Sequence, residues 1–168
     1  MRPTDSRMSK PLSPSAQRAQ EAMRAAGLSA TVVEHQTAAR TSAQAAETLG
    51  CNVAEIAKSL VFRGGVSGRP VLVIASGENR IDLAKLEKLL GEPVGKPDAA
   101  FVREVTGFAI GGIPPLGHAQ PLHTLIDQSL LRFATVYAAG GTPNAMFPVA
   151  PDELVRVTGG QVADVHEG

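Results

Sequence analysis

A mixed α/β (α+β) domain, with a curved mixed sheet of about six to eight short strands flanked by helices, is the fold class the sequence predicts. Three observations point to it. Short β-branched runs such as Pro70–Ser76 (PVLVIAS) alternate with amphipathic stretches that begin on helix-capping residues. The 168 residues include 17 glycines and 12 prolines, so the backbone turns often. Hydrophobic residues make up 43% and charged residues 19%, enough apolar material for a packed core, in a length that suits one domain. Residues 1–14 are polar and aperiodic and are expected to form a flexible arm, leaving 15–168 as the folded unit.

The elements follow in order. Ser15–Ala26 has a helical pattern stopped by Gly27, and Ala30–Glu34 reads as a short strand. Thr41 with Gln44 forms a capping box for a helix to Gly50; Asn52 with Glu55 forms another for a short helix ending near Ala57. Lys58–Arg63 and Pro70–Ser76 flank a Gly-rich turn and predict a hairpin, its second strand apolar enough for a sheet covered on both faces. Asp82 caps a helix to Leu90 with Leu83, Leu86, Leu89 and Leu90 as its inner stripe. Asp98–Val105 is a further helix, and Phe108–Ile113 reads as a strand running into Gly111–Pro115 (GGIPP). Leu122–Ile126 and Ala134–Ala138 read as strands, with one helical turn starting at Asp127 between them. Pro151 opens a last helix, with Asp152 and Glu153 at its positive end, and Gln161–Val165 closes the chain as a strand.

Charge and cysteine content exclude several functions. Sixteen basic residues balance sixteen acidic ones. A protein that coats duplex nucleic acid needs many uncompensated cations, so a polyanionic partner must be met locally. The single cysteine, Cys51, excludes an internal disulfide and a multi-cysteine zinc site, and reads as a small packed residue. No histidine pair has metal-ligand spacing, so neither a metal nor a cofactor is expected. No apolar run approaches a membrane span, and the N-terminus lacks the apolar core of a signal peptide; the expected location is cytoplasmic, with no membrane partner.

A few residues stand out chemically. Strand alternation puts Lys58 on the same face as Leu60 and Phe62. A partly buried ammonium needs carbonyls, a carboxylate or a ligand phosphate; the competing reading is a lysine snorkelling out beside Glu55. The glycines of Gly111-Gly112-Ile113-Pro114-Pro115 permit close backbone approach to a ligand, and backbone N–H groups there could face a developing oxyanion; the competing reading is a tight bend at a sheet corner. His118, three residues on, could shuttle protons, although a surface role suits it and the scattered His35, His123 and His166 equally. In Gly140-Gly141-Thr142-Pro143-Asn144, Asn144 could orient a water or cap the turn. Asp127 reads as a cap with a binding carboxylate as the alternative, and Arg80 is a candidate cation for an anionic partner. No nucleophile elbow, phosphate-binding loop or dinucleotide fingerprint occurs.

Three ordered blocks, Ile56–Phe62 (IAKSLVF), Val73–Asp82 (VIASGENRID) and Thr106–His118 (TGFAIGGIPPLGH), together resemble the YbaK/EbsC family, free-standing relatives of the editing (insertion) domain of bacterial prolyl-tRNA synthetase. The resemblance spans about residues 15–166. It implies a YbaK-like fold and a trans-editing deacylase that hydrolyses the ester between a wrong amino acid and the 3′-terminal adenosine of tRNA. The family lysine matches Lys58, implied to hold the phosphate region of the terminal nucleotide. The family's Gly-x-x-x-Pro loop matches Gly111–Pro115, so that Gly111, Gly112, Ile113, Pro114 and Pro115 are implied to contact the aminoacyl group. A positioned water or groups of the substrate are implied to do the chemistry. The synthetase-inserted relatives carry a histidine in the late Gly-rich turn; this chain has none there, and Thr142 or Asn144 is expected to stand in. The turn looks more like the types acting on Ser- or Thr-tRNA, or an uncharacterised group, than like the Cys type. The implied partners are the acceptor end of a misacylated tRNA and a synthetase. The alternative function is a non-catalytic module that binds an acceptor end or nucleotide beside a synthetase.

Overall fold

The computed structural model describes residues 11–168; residues 1–10 of the expected arm lie outside the described residues. Five α-helices are described: α1 (Pro14–Ala25), α2 (Ser42–Leu49), α3 (Leu83–Leu90), α4 (Ala99–Thr106) and α5 (Pro151–Thr158). They flank one eight-stranded mixed sheet of β1 (Val33–Glu34), β2 (Ile56–Gly64), β3 (Pro70–Ser76), β4 (Val94–Gly95), β5 (His123–Asp127), β6 (Val136–Ala139), β7 (Ala145–Val149) and β8 (Gln161–Ala163). Its order is β1-β7-β6-β2-β3-β5-β8, with β4 added to β2. No described helix is long and apolar enough to cross a membrane.

The antiparallel β2–β3 hairpin is the centre. Val71–Ser76 is buried throughout because apolar cores cover both faces. One face carries Phe62, Val71, Val73, Ala75 and Leu125 under Leu86 and Leu90 of α3; the other carries Val61, Leu72, Ile74 and Ile126. Each Val, Leu, Ile or Phe side chain among them contributes about 1.5–3 kcal/mol on burial.

β2 is paired with β3 along most of its length, but on its other edge only at the ends. There β6 meets Ile56 and Ala57 in parallel, and β4 meets Arg63 and Gly64 in antiparallel register. Between them, the Lys58–Phe62 stretch has no strand neighbour on that edge among the described residues, which leaves a gap in the described sheet.

Most caps hold. Thr41 Oγ1 accepts from Gln44 N, and Asp82 accepts from Ala84 N and Lys85 N; Asp98, expected as the first residue of its helix, is instead its cap and accepts from Phe101 N. Other expectations need correction. Phe108–Ile113 is a turn and loop, not a strand: Gly112 N donates to Ala109 O at 3.0 Å and Gly111 takes φ +94°. The following prolines lack the N–H a ladder would require. Ala145–Val149, to which the sequence assigned no element, is β7; its Pro148 points outward where β7 turns to solvent. The helix expected to end near Ala57 is a single 3₁₀ turn, Val53–Glu55, with the strand starting at Ile56. The α3 stripe is narrower than expected: Leu86 and Leu90 are buried, whereas Leu83 and Leu89 are exposed. Leu12 packs on the core, and Ser13 donates to Glu34 from both N and Oγ, so these residues join the folded unit.

Candidate functional site

Lys58 lies half-buried on the third residue of β2, on the α3 face of the sheet, opposite Ala75 of β3. Its Nζ donates to Asn79 O at 2.7 Å and reaches Gly77 O at 3.5 Å. The acceptors are therefore backbone carbonyls, one of the solutions open to a buried ammonium. Burial lowers its pKa; the carboxylate of Asp127 opposes this, and the cations of Arg80 and Lys96 add to it.

The loop that receives Lys58 is held by a buried carboxylate. Asp127, fully buried, accepts from Ser76 N at 3.1 Å, Asn79 Nδ2 at 2.9 Å and Ser129 N at 2.9 Å. It caps the turn after β5, as expected, and also fixes Asn79. Asn79 thus joins Lys58 to Asp127 through its own carbonyl and amide. Sequence reasoning missed this role of Asn79, because its partners are about fifty residues away. It missed Lys96 too. The β2–β4 register puts Gly95 opposite Arg63, which brings the exposed Lys96 to the level of Phe62, at the far lip of the sheet gap. Arg80 is exposed, and neither cation has an ion pair among the described residues.

The near lip is built from two Gly-rich segments. β6 runs parallel to β2 with Ala138 beside Ala57, so the turn that follows β6 lies just beyond the level of Lys58. Gly141 N donates to Gly112 O at 2.9 Å, and Pro143 packs on Gly111. Gly112 touches the Thr142 backbone so closely that an added Cβ would lie 2.6 Å from Thr142 Cα. Gly111 is exposed and its N–H has no partner among the described residues, while the N–H of Gly112 is committed to Ala109. Ile113, Pro114 and Pro115 are buried, Ile113 within the core. This half of the segment is a packed corner, and its outward part is Gly111 with the exposed Ile110.

Other candidates are committed to the frame. His118 Nε2 donates to Pro114 O at 2.7 Å, and burial lowers its pKa while that hydrogen bond opposes the shift. Its sequence-level roles, proton shuttle or surface histidine, give way to a clamp on the loop. Thr142 Oγ1 donates to Glu34 at 3.2 Å, and Asn144 Nδ2 donates to His35 O at 3.1 Å. Asn144 therefore ties its turn to the segment after β1, and within the turn its backbone N donates to Thr142 Oγ1 at 3.3 Å. The strap after β1 continues through Ala39, whose N donates to Pro143 O, to Ser42, which packs on Gly77 beside the Lys58 acceptors. The strap thus spans from the Gly-rich turns to the lysine loop. Two clefts open nearby. One, of about 520 Å³, is lined by Asn52–Ala54, Glu78, Arg132 and Phe133; the other, of about 420 Å³, runs behind Pro115 and His118 toward Val157. Neither of these two contains both Lys58 and the Gly111–Pro115 segment.

Comparison with known proteins adds the following. Residues 36–157 match the family model described as "Aminoacyl-tRNA editing domain". "Uncharacterized protein YwhH" of Bacillus subtilis is 39% identical over 123 residues, covering 73% of this chain and 78% of that protein. The "Putative Cys-tRNA(Pro)/Cys-tRNA(Cys) deacylase EbsC" of Enterococcus faecalis is 28% identical, covering 71% and 73%. A solved structure described as "a putative trans-editing enzyme for prolyl tRNA synthetase" superimposes with TM-score 0.89 at 48% identity, covering 94% of this chain and all of that one.

Proposed function

The chain belongs to the aminoacyl-tRNA editing domain family, and from that premise we propose that it is a trans-editing hydrolase that deacylates misacylated tRNA. The editing unit in this reading is the folded part of the chain, extended from the expected 15–168 to take in Leu12 and Ser13. The observations that support it are an ammonium held on carbonyls at Lys58, and an exposed backbone donor at Gly111 with no partner among the described residues.

The terminal phosphate of the acceptor end would meet Lys58, with Arg80 and Lys96 beside it. The aminoacyl carbonyl would face Gly111, whose N–H would receive the oxyanion as a water attacks. A single donor of this kind is worth about 3 kcal/mol in comparable sites. As the tetrahedral species collapses, the bond from carbonyl carbon to ribose oxygen breaks. The ribose oxygen takes a proton, and free amino acid and uncharged tRNA leave. An aminoacyl ester is already activated, so orientation of water by substrate groups and backbone supplies the remaining acceleration. Pocket size discriminates amino acids by only about 1–3 kcal/mol per methylene, which is the chemical reason for a separate editing site. A prolyl-type synthetase is the proposed partner that delivers substrate.

The commitment of Gly112 N–H, Thr142 Oγ1 and Asn144 Nδ2 to internal bonds favours a second reading, a non-catalytic module that holds the acceptor end. Lys58→Ala separates the two. Under the hydrolase reading, the variant keeps the wild-type circular dichroism spectrum and melting temperature but loses about a hundredfold or more in deacylation rate. Turnover at the wild-type rate in Lys58→Ala would remove the lysine from the mechanism, and binding without turnover in the wild type would leave only the module.

A further inference from the structure

The cleft beside the lysine loop is not used by the reaction above. It is lined by Asn52, Val53, Ala54, Glu78, Arg132 and Phe133, and its volume of about 520 Å³ is in the range of small-ligand sites. The Arg132 guanidinium lies 4.6 Å over the Phe133 ring, making a flat two-layer platform. Arg132 Nη2 pairs with Glu78 Oε2 at 2.6 Å, which leaves the other carboxylate oxygen of Glu78 without a partner among the described residues. Both ionic side chains are about half exposed at the rim.

This chemistry selects its occupant. A phosphate would meet the Glu78 carboxylate and be repelled, and the Arg132 charge is already neutralised. A planar base suits the platform, because unpaired bases stack on aromatic rings and on arginine planes. A free carboxylate oxygen at the edge accepts from an exocyclic amino group, which cytosine and adenine carry and uracil lacks. The position fits as well. Glu78 lies between Gly77 and Asn79, whose carbonyls receive the Lys58 ammonium, so the rim of the cleft and the lysine acceptors are one loop.

We infer that the Arg132–Phe133 platform with Glu78 is a base-binding subsite for an unstacked cytosine next to the terminal adenosine of a CCA-ended RNA. This rests on the editing reading and extends it to the nucleotide that precedes the reacting one. The phosphate that joins the two nucleotides passes toward Lys58 and Arg80.

The probe is a 5′-labelled RNA tetranucleotide, ACCA with a free 3′ hydroxyl, against AUUA, read by fluorescence anisotropy at low salt. The wild-type protein binds ACCA about fivefold or more tightly than AUUA. Arg132→Ala, a change at an exposed rim position, and Phe133→Leu, which keeps the apolar volume, each weaken ACCA binding about tenfold and erase the preference. Unchanged ACCA affinity in both variants, no preference in the wild type, or no binding of ACCA overturns the subsite. The editing reading fails separately. A wild-type protein that binds ACCA with this preference yet hydrolyses no aminoacyl ester sinks that reading and leaves the subsite standing. Normal deacylation of full-length tRNA with kcat/KM unmoved by either substitution sinks the subsite alone.

Discussion

The imidazole of His118 ties the chain back on itself, donating from Nε2 to the carbonyl of Pro114 four residues earlier. A carbonyl can only accept, so Nε2 keeps its proton and Nδ1 is the free position. Burial lowers the His118 pKa below its ordinary 6.5, and the Pro114 hydrogen bond only partly offsets this. The sign of the consequence is fixed. The unfolded chain takes up this proton near pH 6.5 and the folded one only at lower pH, so acidification through that window favours unfolding. Stability from this group is complete above pH 6.5 and falls as pH drops toward the depressed value. His118→Gln, whose amide can still donate to Pro114, is expected to flatten the decline in melting temperature between pH 6.5 and 5. An unchanged slope would show that another group sets it. Residue-scale chemistry was legible in the sequence where it is local. The alternation of β2 put Lys58 on an apolar face, and Asp82 and Asp127 announced their caps. The Asn79–Asp127 bond was not legible, since nothing near either residue names the other.

Among the elements, the contact between the two Gly-rich segments does most to shape the near lip. At Gly112 a Cβ would be driven into the backbone of Thr142, at 2.6 Å from Cα and 2.8 Å from C, and backbone cannot swing aside like a side-chain end. Gly112→Ala should therefore separate the segments, cost about 1–3 kcal/mol of stability by overpacking, and reduce deacylation by more than the loss of folded protein explains. Chemical denaturation and a single-turnover assay on the same preparation measure both effects. Gly95→Ala is the control, because a Cβ there meets nothing within 4 Å and the backbone needs no left-handed conformation. Equal behaviour of the two variants would mean the segments need not touch. Capped helices and the hairpin were readable from the chain, since caps and turn residues act over three or four positions. Two segments were not. Phe108–Ile113 has the apolar content of a strand but spends Gly112 N on a turn. In β7, Pro148 masks a strand that lies between β1 and β6 and pairs with both.

At the scale of the molecule, equal numbers of basic and acidic residues and an RNA partner are compatible because the cations that matter are gathered on one side. Lys58 occupies the open stretch of β2, Lys96 enters at its far lip through the β4 register, and Arg80 follows the lysine loop. The gap itself comes from pairing β2 with two short partners instead of one long one. That could not be read from local sequence, because β4 is only two residues long. The overall class was readable, since it depends on the alternation of helical and extended segments along the whole chain. The central claim is that this surface hydrolyses the ester of a wrongly charged tRNA. It is tested most directly by incubating the wild-type protein with Ala-, Cys-, Ser- and Thr-charged tRNAs and with Pro-tRNA(Pro), and following the fraction still acylated. At least one mischarged tRNA is expected to be deacylated well above its spontaneous rate while Pro-tRNA(Pro) is spared; survival of every charged tRNA at the spontaneous rate would rule the hydrolase out.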